Sequence, residues 1–487
     1  MINEFLLASP LIVISVSAIV LLMFDAFIRN KQVIYFSTII LLLIYIGFSV
    51  YTLFINPTQF GNISGTYLGG HLSFSTFASI FDILFGIAGL IAILSAKEYN
   101  EKAFKNYNEY YSLILLSIVG MTSIAHSGSL LMLFLGVELM SITFYVLAGF
   151  FRTKSASIEA AIKYFFLGSF ASAFLLFGIS FVYGSSSSIY FAQISESLLT
   201  SAVNPLYFKI GVGLLIVGLS FKVAAFPFHQ WAPDVYFGSP TISAGFLSTA
   251  GKIAALAGFV VVFKNLVLNS TTDLNVLHTS ELARNILAII SACTMLIGNI
   301  TAISQTNIKR MLAYSSVAHA GYILMGIVSN SVEGYSAVAY YSLAYIFMQA
   351  GAFAILSVLE DKDGNNISLD DFKNLRATHP ILAAVMTCFM LSLAGIPPFG
   401  GFFGKYFLFV SSIKAGYTWL TIVAVIASII SMYFYIRVIL NMYFQSNDSP
   451  IGDVKIGNSK IAIAICIIGI IAIGIYPNLF YNLFMII

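Results

Sequence analysis

Residues 206–234, LYFKIGVGLLIVGLSFKVAAFPFHQWAPD, decide how this chain is read. An apolar run begins at Tyr207, carries only Lys209 and Ser220 as polar company, and ends on Lys222, five residues before Pro227. An ionisable side chain in an apolar segment is costly, so a lysine kept there points to a use for it. The run is long enough for a bilayer crossing, and the proline behind it predicts that the crossing is broken.

The rest of the chain has the same character. Of 487 residues, 59% are hydrophobic and 9% charged, against about a quarter charged in a soluble domain. Apolar segments of roughly 20 residues, the length a crossing takes, recur from end to end, and fourteen can be counted, among them 5–27, 111–126, 207–227, 380–396 and 459–484. Lipid offers the backbone no hydrogen-bond partner, so runs this continuous must be helices. The expected fold is an all-α polytopic membrane protein in a bacterial inner membrane. The first span, from about Phe5 to Phe27, has neither a basic start nor a small-residue cleavage signature, so it reads as a retained helix and not a signal peptide.

Basic residues cluster after odd-numbered spans, at Arg29 and Lys31, Lys97, Lys102 and Lys105, Arg152 and Lys154, Lys309 and Arg310, Lys362, Lys373 and Arg376, and Lys455 and Lys460. The opposite loops carry only Lys209, Lys264, Arg284 and Lys414. The positive-inside rule then puts both termini on the outer face. Cys293, Cys388 and Cys466 lie alone in separate spans, without metal or iron–sulfur spacing. No nucleotide, flavin, zinc or redox-cluster motif stands in a suitable context. The net charge of +3 says little about partners, and no nucleic-acid partner is expected.

A second broken span is expected in LAGIPPFGGFFGKY, with Pro397, Pro398, Gly400, Gly401 and Gly404. Proline removes a backbone donor and glycine permits non-helical geometry. Each break has a lysine beside it, Lys222 before Pro227 and Lys405 seven residues after Pro398. Paired interruptions in two halves point to an inverted-repeat transporter core. The expected organisation is a three-helix segment (1–110), a first repeat of spans four to eight (111–265), a second of spans nine to thirteen (266–441) and a C-terminal helix (442–487).

Glu138 in the fifth span, Lys222, Lys252 in the eighth, His319 in the tenth and Lys405 form a series of titratable groups at similar depth on five helices. Desolvation lowers a lysine's pKa by up to about 3–5 units whereas a guanidinium stays charged, so lysine suits a proton relay. A carboxylate such as Glu138 beside Lys222 would favour its charged form, and changing that pairing would switch proton release. Plainer roles exist for each: capping of the helix breaks for Lys222 and Lys405, a structural salt bridge for Lys252 and Glu138, a satisfied core histidine for His319 and for His229 in the broken segment. Lys163, four residues after Glu159, fits a helix-end ion pair as well as a pathway role; Asp82 in the third span fits a helix contact or a water path; Tyr314 fits packing or a hydroxyl that orders water. Trp231 and Tyr236 near the break read as membrane-interface anchors.

At these residues the sequence resembles a known family. FLGVELMSITFYVLAGF (134–150), EAAIKYFFLGSFASAFLLFGISFVYG (159–184), residues 219–259, IKRMLAYSSVAHAGYILMG (308–326) and GIPPFGGFFGKYFLF (395–409) are similar to the antiporter-like subunits of the proton-pumping NADH:quinone oxidoreductase, respiratory complex I, and among them to subunit N. The likeness runs from about residue 110 to 440. APDVY after His229 and a lysine at position 405 favour subunit N over its sister subunits L and M, while Phe237 stands where N subunits usually place an acidic residue. The resemblance implies that Glu138 pairs with Lys222, Lys252 is a central relay, His319 links it to Lys405, and protons cross along this series. It also implies a subunit with no redox centre or metal of its own, in a complex whose other parts carry NADH, FMN, Fe-S clusters and quinone, and partnership with sister membrane-arm subunits. Two other readings follow from the same residues: a subunit of a multi-subunit cation/proton antiporter, and a scaffold whose lysines only hold broken helices together.

Overall fold

Helices are the only economical answer to segments whose backbone must satisfy itself in lipid, and the computed structural model is built of them. It describes residues 6–27, 30–59, 66–103, 108–200, 202–268, 273–361, 367–446 and 451–485. Arg29, Lys105 and Lys362, counted above in the charge pattern, and Phe5, the start of the first span, lie outside these.

The N-terminal segment comprises α1 (Ser9–Phe27), α2 (Lys31–Gln59) and α3 (Thr76–Ala103), with a short antiparallel hairpin, Thr66–Tyr67 and Leu72–Ser73, between the last two. Then come α4 (Glu109–Ala125), α5 (Leu130–Ala148), α6 (Ser155–Ser186), the short α7 (Phe191–Leu199), α8 (Pro205–Lys222), α9 (Trp231–Gly238) and α10 (Thr241–Leu266). The second half holds α11 (Leu274–Ile303), α12 (Ile308–Val328), α13 (Val332–Leu359), a single turn α14 (Leu375–Thr378), α15 (Pro380–Ala394), α16 (Gly400–Lys414) and α17 (Thr418–Phe444). Two helices, α18 (Ser459–Ile475) and α19 (Pro477–Phe484), close the chain.

Eleven of the described helices are long and apolar enough to cross a bilayer singly. The expected fourth and twelfth spans are shorter, 17 residues in α4 and 15 in α15, and the expected fourteenth is a pair bent by 90° at Tyr476 and Pro477. The chain is therefore a polytopic helical membrane protein with, among the described residues, eleven helices of full span length, or twelve if the bent pair is one span, plus the shorter apolar helices α4 and α15.

Burial sorts these helices into a centre and a rim. α10 and α13 are buried along their whole apolar windows, and α12 and α3 almost so, whereas α1, α2, α6 and α17 turn much of their surface outward. Both central helices carry one turn of π-helix at mid-length, Leu247–Gly251 in α10 and Ile346–Ala350 in α13, and the two turns pack against each other. A π turn widens the helix at one point and is frequent at functional sites; Lys252 is the first residue after the turn in α10.

Around this centre α6 lies along α8 and α11 along α12. The first contact is close because Gly178 and Gly211 face each other. A Cβ on Gly178 would stand 3.0 Å from the Gly211 carbonyl, and one on Gly211 3.1 Å from the Gly178 carbonyl. Association within a bilayer lacks a hydrophobic driving force and relies on such small-residue contacts.

The two interruptions fall where the prolines and glycines put them. α8 stops at Lys222, five residues short of the expected end at 227, and the chain turns through Ala224 at φ 58° before α9. α15 stops at Ala394, turns through Gly395 at φ 84° and resumes at Gly400 as α16.

Candidate functional site

At the first break, the carbonyls that the helix end would leave without partners are met by the chain itself. Val223 and Ala225 backbone N–H groups donate to Leu219 and Ser220, and Phe221 O accepts from both the Ala224 N–H and the Trp231 indole. Lys222 is thus not needed as a cap. Its ammonium, in a residue 4% exposed, turns inward and donates to Ser141 Oγ (2.9 Å) and Ser172 Oγ (3.3 Å). Glu138 Oε1 lies 3.9 Å from the same Nζ, and the Ser172 hydroxyl donates to Glu138 Oε1. Ser172 therefore stands between base and acid, accepting from one and donating to the other. Sequence reading found Glu138 and Lys222; it missed Ser141 and Ser172, which look like any small residue on an apolar helix.

Trp231 and Tyr236 do not sit at the membrane interface. Both are buried, because the segment after the break folds into the protein and not along its edge. The Trp231 ring stacks on Tyr164 at 4.4 Å and 10°, with Phe221 5.4 Å away. Trp231→Ala should lower the stability of the detergent-solubilised protein by about 3–5 kcal/mol, the usual cost of emptying an aromatic site. A thermal melt shifted no further than that of an exposed Phe166→Ala control would contradict this packing role.

Lys252 is 2% exposed and donates to Ser316 Oγ at 2.7 Å, with the Tyr236 ring centroid 5.8 Å from its Nζ. Among the described residues no carboxylate lies within ion-pair distance of it. Ser316 sits on α12 one turn before His319, on the same face. His319, also 2% exposed, is gripped by two phenols: Nδ1 lies 2.6 Å from Tyr341 Oη and Nε2 3.0 Å from Tyr435 Oη. Tyr435 Oη continues to Ser315 Oγ at 2.5 Å. Electrostatically, His319 is in reach of both Lys252 and Lys405. None of these tyrosines was singled out in the sequence.

Lys405 closes the series differently. Its ammonium donates to the carbonyls of Ala394 (3.0 Å) and Leu393 (3.3 Å) and to Ser428 Oγ (2.9 Å), below the Tyr322 ring at 4.8 Å. It caps the C-terminus of α15, where a cation is favoured by the exposed carbonyls. Pro397, Pro398, Gly400 and Gly401 form the turn around it, and Pro227 does so in the first break.

The remaining candidates separate. His229 is half-buried in the first break, its ring 5.8 Å from that of Phe226. Lys163 joins Glu159 (2.7 Å) and Asp234 (2.9 Å) at a partly exposed site, and Asp234 also accepts from Arg310 at 3.1 Å. This network ties α9 to α6 and α12. Arg310 lies over the Phe237 ring at 5.6 Å, so the aromatic residue there has a cation partner. Tyr314 packs against the apolar core. Asp82 is buried against His126 on α4's end, well apart from the lysines in sequence and partner. Lys309, counted above as a loop charge, is buried with Nζ 2.5 Å from the Ser239 carbonyl.

The site is thus a buried series, Glu138–Ser172–Lys222, then Lys252–Ser316, then His319 with Tyr341 and Tyr435, then Lys405. Among the described residues no hydrogen bond joins Lys222's group to that of Lys252.

Residues 127–431 match the family described as NADH:quinone oxidoreductase/Mrp antiporter, TM. The chain is 38% identical over 487 residues to NADH-quinone oxidoreductase subunit N 1 of Chloroherpeton thalassium, with 98% of this chain and 97% of that protein covered. It is similar to a chain in the structure of respiratory complex I from Thermus thermophilus with bound aureothin, at TM-score 0.80 and 28% identity, covering 97% of this chain and 98% of that one. A chain of the Mrp complex from Dietzia sp. DQ12-45-1b shares the fold, at TM-score 0.83 and 19% identity over 99% and 96% of the two chains.

Proposed function

The chain belongs to the NADH:quinone oxidoreductase/Mrp antiporter family, with subunit N among its near relatives, and from that premise we propose that it carries protons across the membrane along Glu138, Lys222, Lys252, His319 and Lys405. It is a membrane-arm subunit of an oxidoreductase complex and packs with antiporter-like sister subunits. Quinone reduction in neighbouring subunits drives the changes of pairing, and NADH, FMN, the Fe-S clusters and the quinone are held there and not in this chain. Protons enter from the cytoplasmic side at the first half (111–265) and leave through the second (266–441), with both termini on the outer face.

The observation that carries this reading is the burial of three lysines and a histidine in one series with, among the described residues, one carboxylate beside them. Uncompensated buried charge is a poor structural device. Ser172 gives the pair its switch. While ionised Glu138 sits 3.9 Å away, a proton is held on Lys222; withdrawing the carboxylate frees it to move inward. Among the described residues no hydrogen bond joins Lys222 to Lys252, Ser316 to His319, or the His319 phenols to Lys405, so each of these steps needs rearrangement or an intervening water. Lys405 plays two parts, as cap of α15 and as the last carrier, since releasing its proton leaves an amine that still donates to those carbonyls.

Lys222→Ala, in membrane vesicles holding the intact complex, tests this. With assembly verified on a native gel, NADH-driven quinone reduction and proton uptake should both fall. Unchanged turnover and an unchanged ratio of protons to electrons in a normally assembled complex would end the relay proposal. A chain that purifies without flavin- and Fe-S-bearing subunits, and exchanges cations for protons, would replace it with the antiporter reading.

A further inference from the structure

A second pair of titratable groups lies outside the lysine series. Asp82 is the seventh residue of α3, about 9 Å along the helix from Thr76 at 1.5 Å per residue. It is fully buried, and Oδ2 lies 2.7 Å from Nε2 of His126, itself 1% exposed. His126 is the C-cap of α4, and the hairpin packs over it. Ser73 N–H donates to the His126 carbonyl, Leu72 pairs with Ser127, and the Phe74 ring lies 5.1 Å from the imidazole. By the charge pattern of the loops, this end of α3 and α4 is the outer one.

Proton counting gives the pair its interest. His126 Nδ1 faces the Ser73 carbonyl at 3.3 Å, which only accepts, so Nδ1 carries a hydrogen. The contact between Nε2 and Oδ2 needs another. The pair is then neutral overall, either as imidazolium and carboxylate or as imidazole and carboxylic acid. Among the described residues Asp82 Oδ1 accepts no hydrogen bond, and it is the position at which one more proton can bind. The positive charge so created sits at the C-terminus of α4, where a cation is favoured. The titratable and polar groups that face the pair are the Tyr45 hydroxyl from α2, the Thr122 hydroxyl from α4, 2.6 Å from Tyr45 Oη, and the Ser73 carbonyl from the hairpin. Further out, the partly exposed His71 bonds Ser129 Oγ at 3.0 Å and lies 3.4 Å from Tyr190 Oη.

We propose that Asp82 and His126 form a proton-holding site near the outer end of the N-terminal helices, loaded and emptied on the release side during translocation. The proposal rests on the proton-translocating reading above. A purely structural ion pair is the alternative, and a buried pair is weak as a stabiliser because desolvation offsets its attraction.

Asp82→Asn separates the two. Asparagine keeps the size and an amide N–H that can donate to Nε2 of a neutral His126, but binds no proton. In inverted vesicles with the complex intact and assembly checked, D82N should lower proton uptake several-fold, and its turnover should change less with outer-face (lumenal) pH than that of the natural complex measured beside it. If D82N fails to assemble, the paired D82N/H126Q variant, which keeps a neutral hydrogen bond between the two positions, is measured in its place and the same result is expected. An assembled variant with normal uptake and a normal outer-face pH profile overturns the proposal. Lys222→Ala run in parallel tells the failures apart: if it loses uptake while D82N does not, only the Asp82–His126 site is wrong, and if neither loses uptake the translocation reading fails as well.

Discussion

A complex carrying Lys252→Met should assemble with all its subunits, melt no lower than the natural complex, and move protons at less than about a tenth of the natural rate, since a positioned proton-transfer group contributes on the order of 100-fold or more. The two halves of this expectation pull in opposite directions, which is its value. Lys252 is buried with a serine and an aromatic ring for company and no carboxylate within ion-pair distance among the described residues. Replacing an uncompensated buried charge by an apolar side chain of similar length removes a desolvation penalty and is commonly neutral or stabilising. Ser316 loses one incoming hydrogen bond, but its hydroxyl still donates to the Ala313 carbonyl. If Lys252 were a structural tie, the result would invert: the melting temperature would drop and proton uptake per complex would persist. Native-gel assembly, a thermal melt of the purified complex, and paired recording of quinone reduction and proton uptake decide between the two.

How much of this could be read in the chain alone divides along one physical line. Properties that depend on local composition were legible: the apolar runs, the two breaks at Pro227 and at Pro397 and Pro398, and the ionisable residues stranded within spans. Properties that depend on which helix faces which were not. Ser172 and Ser141 are thirty or more residues apart in sequence and meet only because α5, α6 and α8 converge on Lys222. Tyr341 and Tyr435 reach His319 from α13 and α17, and no spacing rule links them. His126 ends the expected fourth span (111–126) with nothing in the sequence to mark it, yet the hairpin before α3 folds over it and buries it. Trp231 and Tyr236 were misplaced for the related reason that an aromatic residue after a helix break looks the same whether the chain runs along the interface or folds back into the core. Lys309 shows the same blindness in a charge: beside Arg310 it reads as a loop residue, but it lies in the first turn of α12, buried against the Ser239 carbonyl.

The second break supplies the largest expected effect on the fold itself. Gly401→Val should prevent stable insertion or assembly of the subunit, at a cost of about 3 kcal/mol or more for overpacking a closed contact. α16 starts against the end of α15 so closely that a Cβ on Gly401 would run into the Ser392 carbonyl, while the Gly401 N–H donates to Ser392 Oγ at 3.3 Å. Ser392 is itself fully buried, and its carbonyl is already held by the Gly395 N–H at 3.0 Å in the turn that ends α15. A valine must therefore push α16 outward as a unit. Lys405 lies one turn further along α16, and its ammonium would be drawn away from the Leu393 and Ala394 carbonyls that it caps, so packing and capping would be lost together. Lys405→Met is the informative companion. It removes the cap without touching the Gly401 contact, and should leave subunit levels near normal while proton uptake falls. Quantifying the subunit in membranes by immunoblot, with uptake measured on whatever assembles, tests both. Normal levels and normal uptake in Gly401→Val would mean that the break is a soft joint rather than a fixed seat, and that the position of Lys405 is not set by the glycines around it.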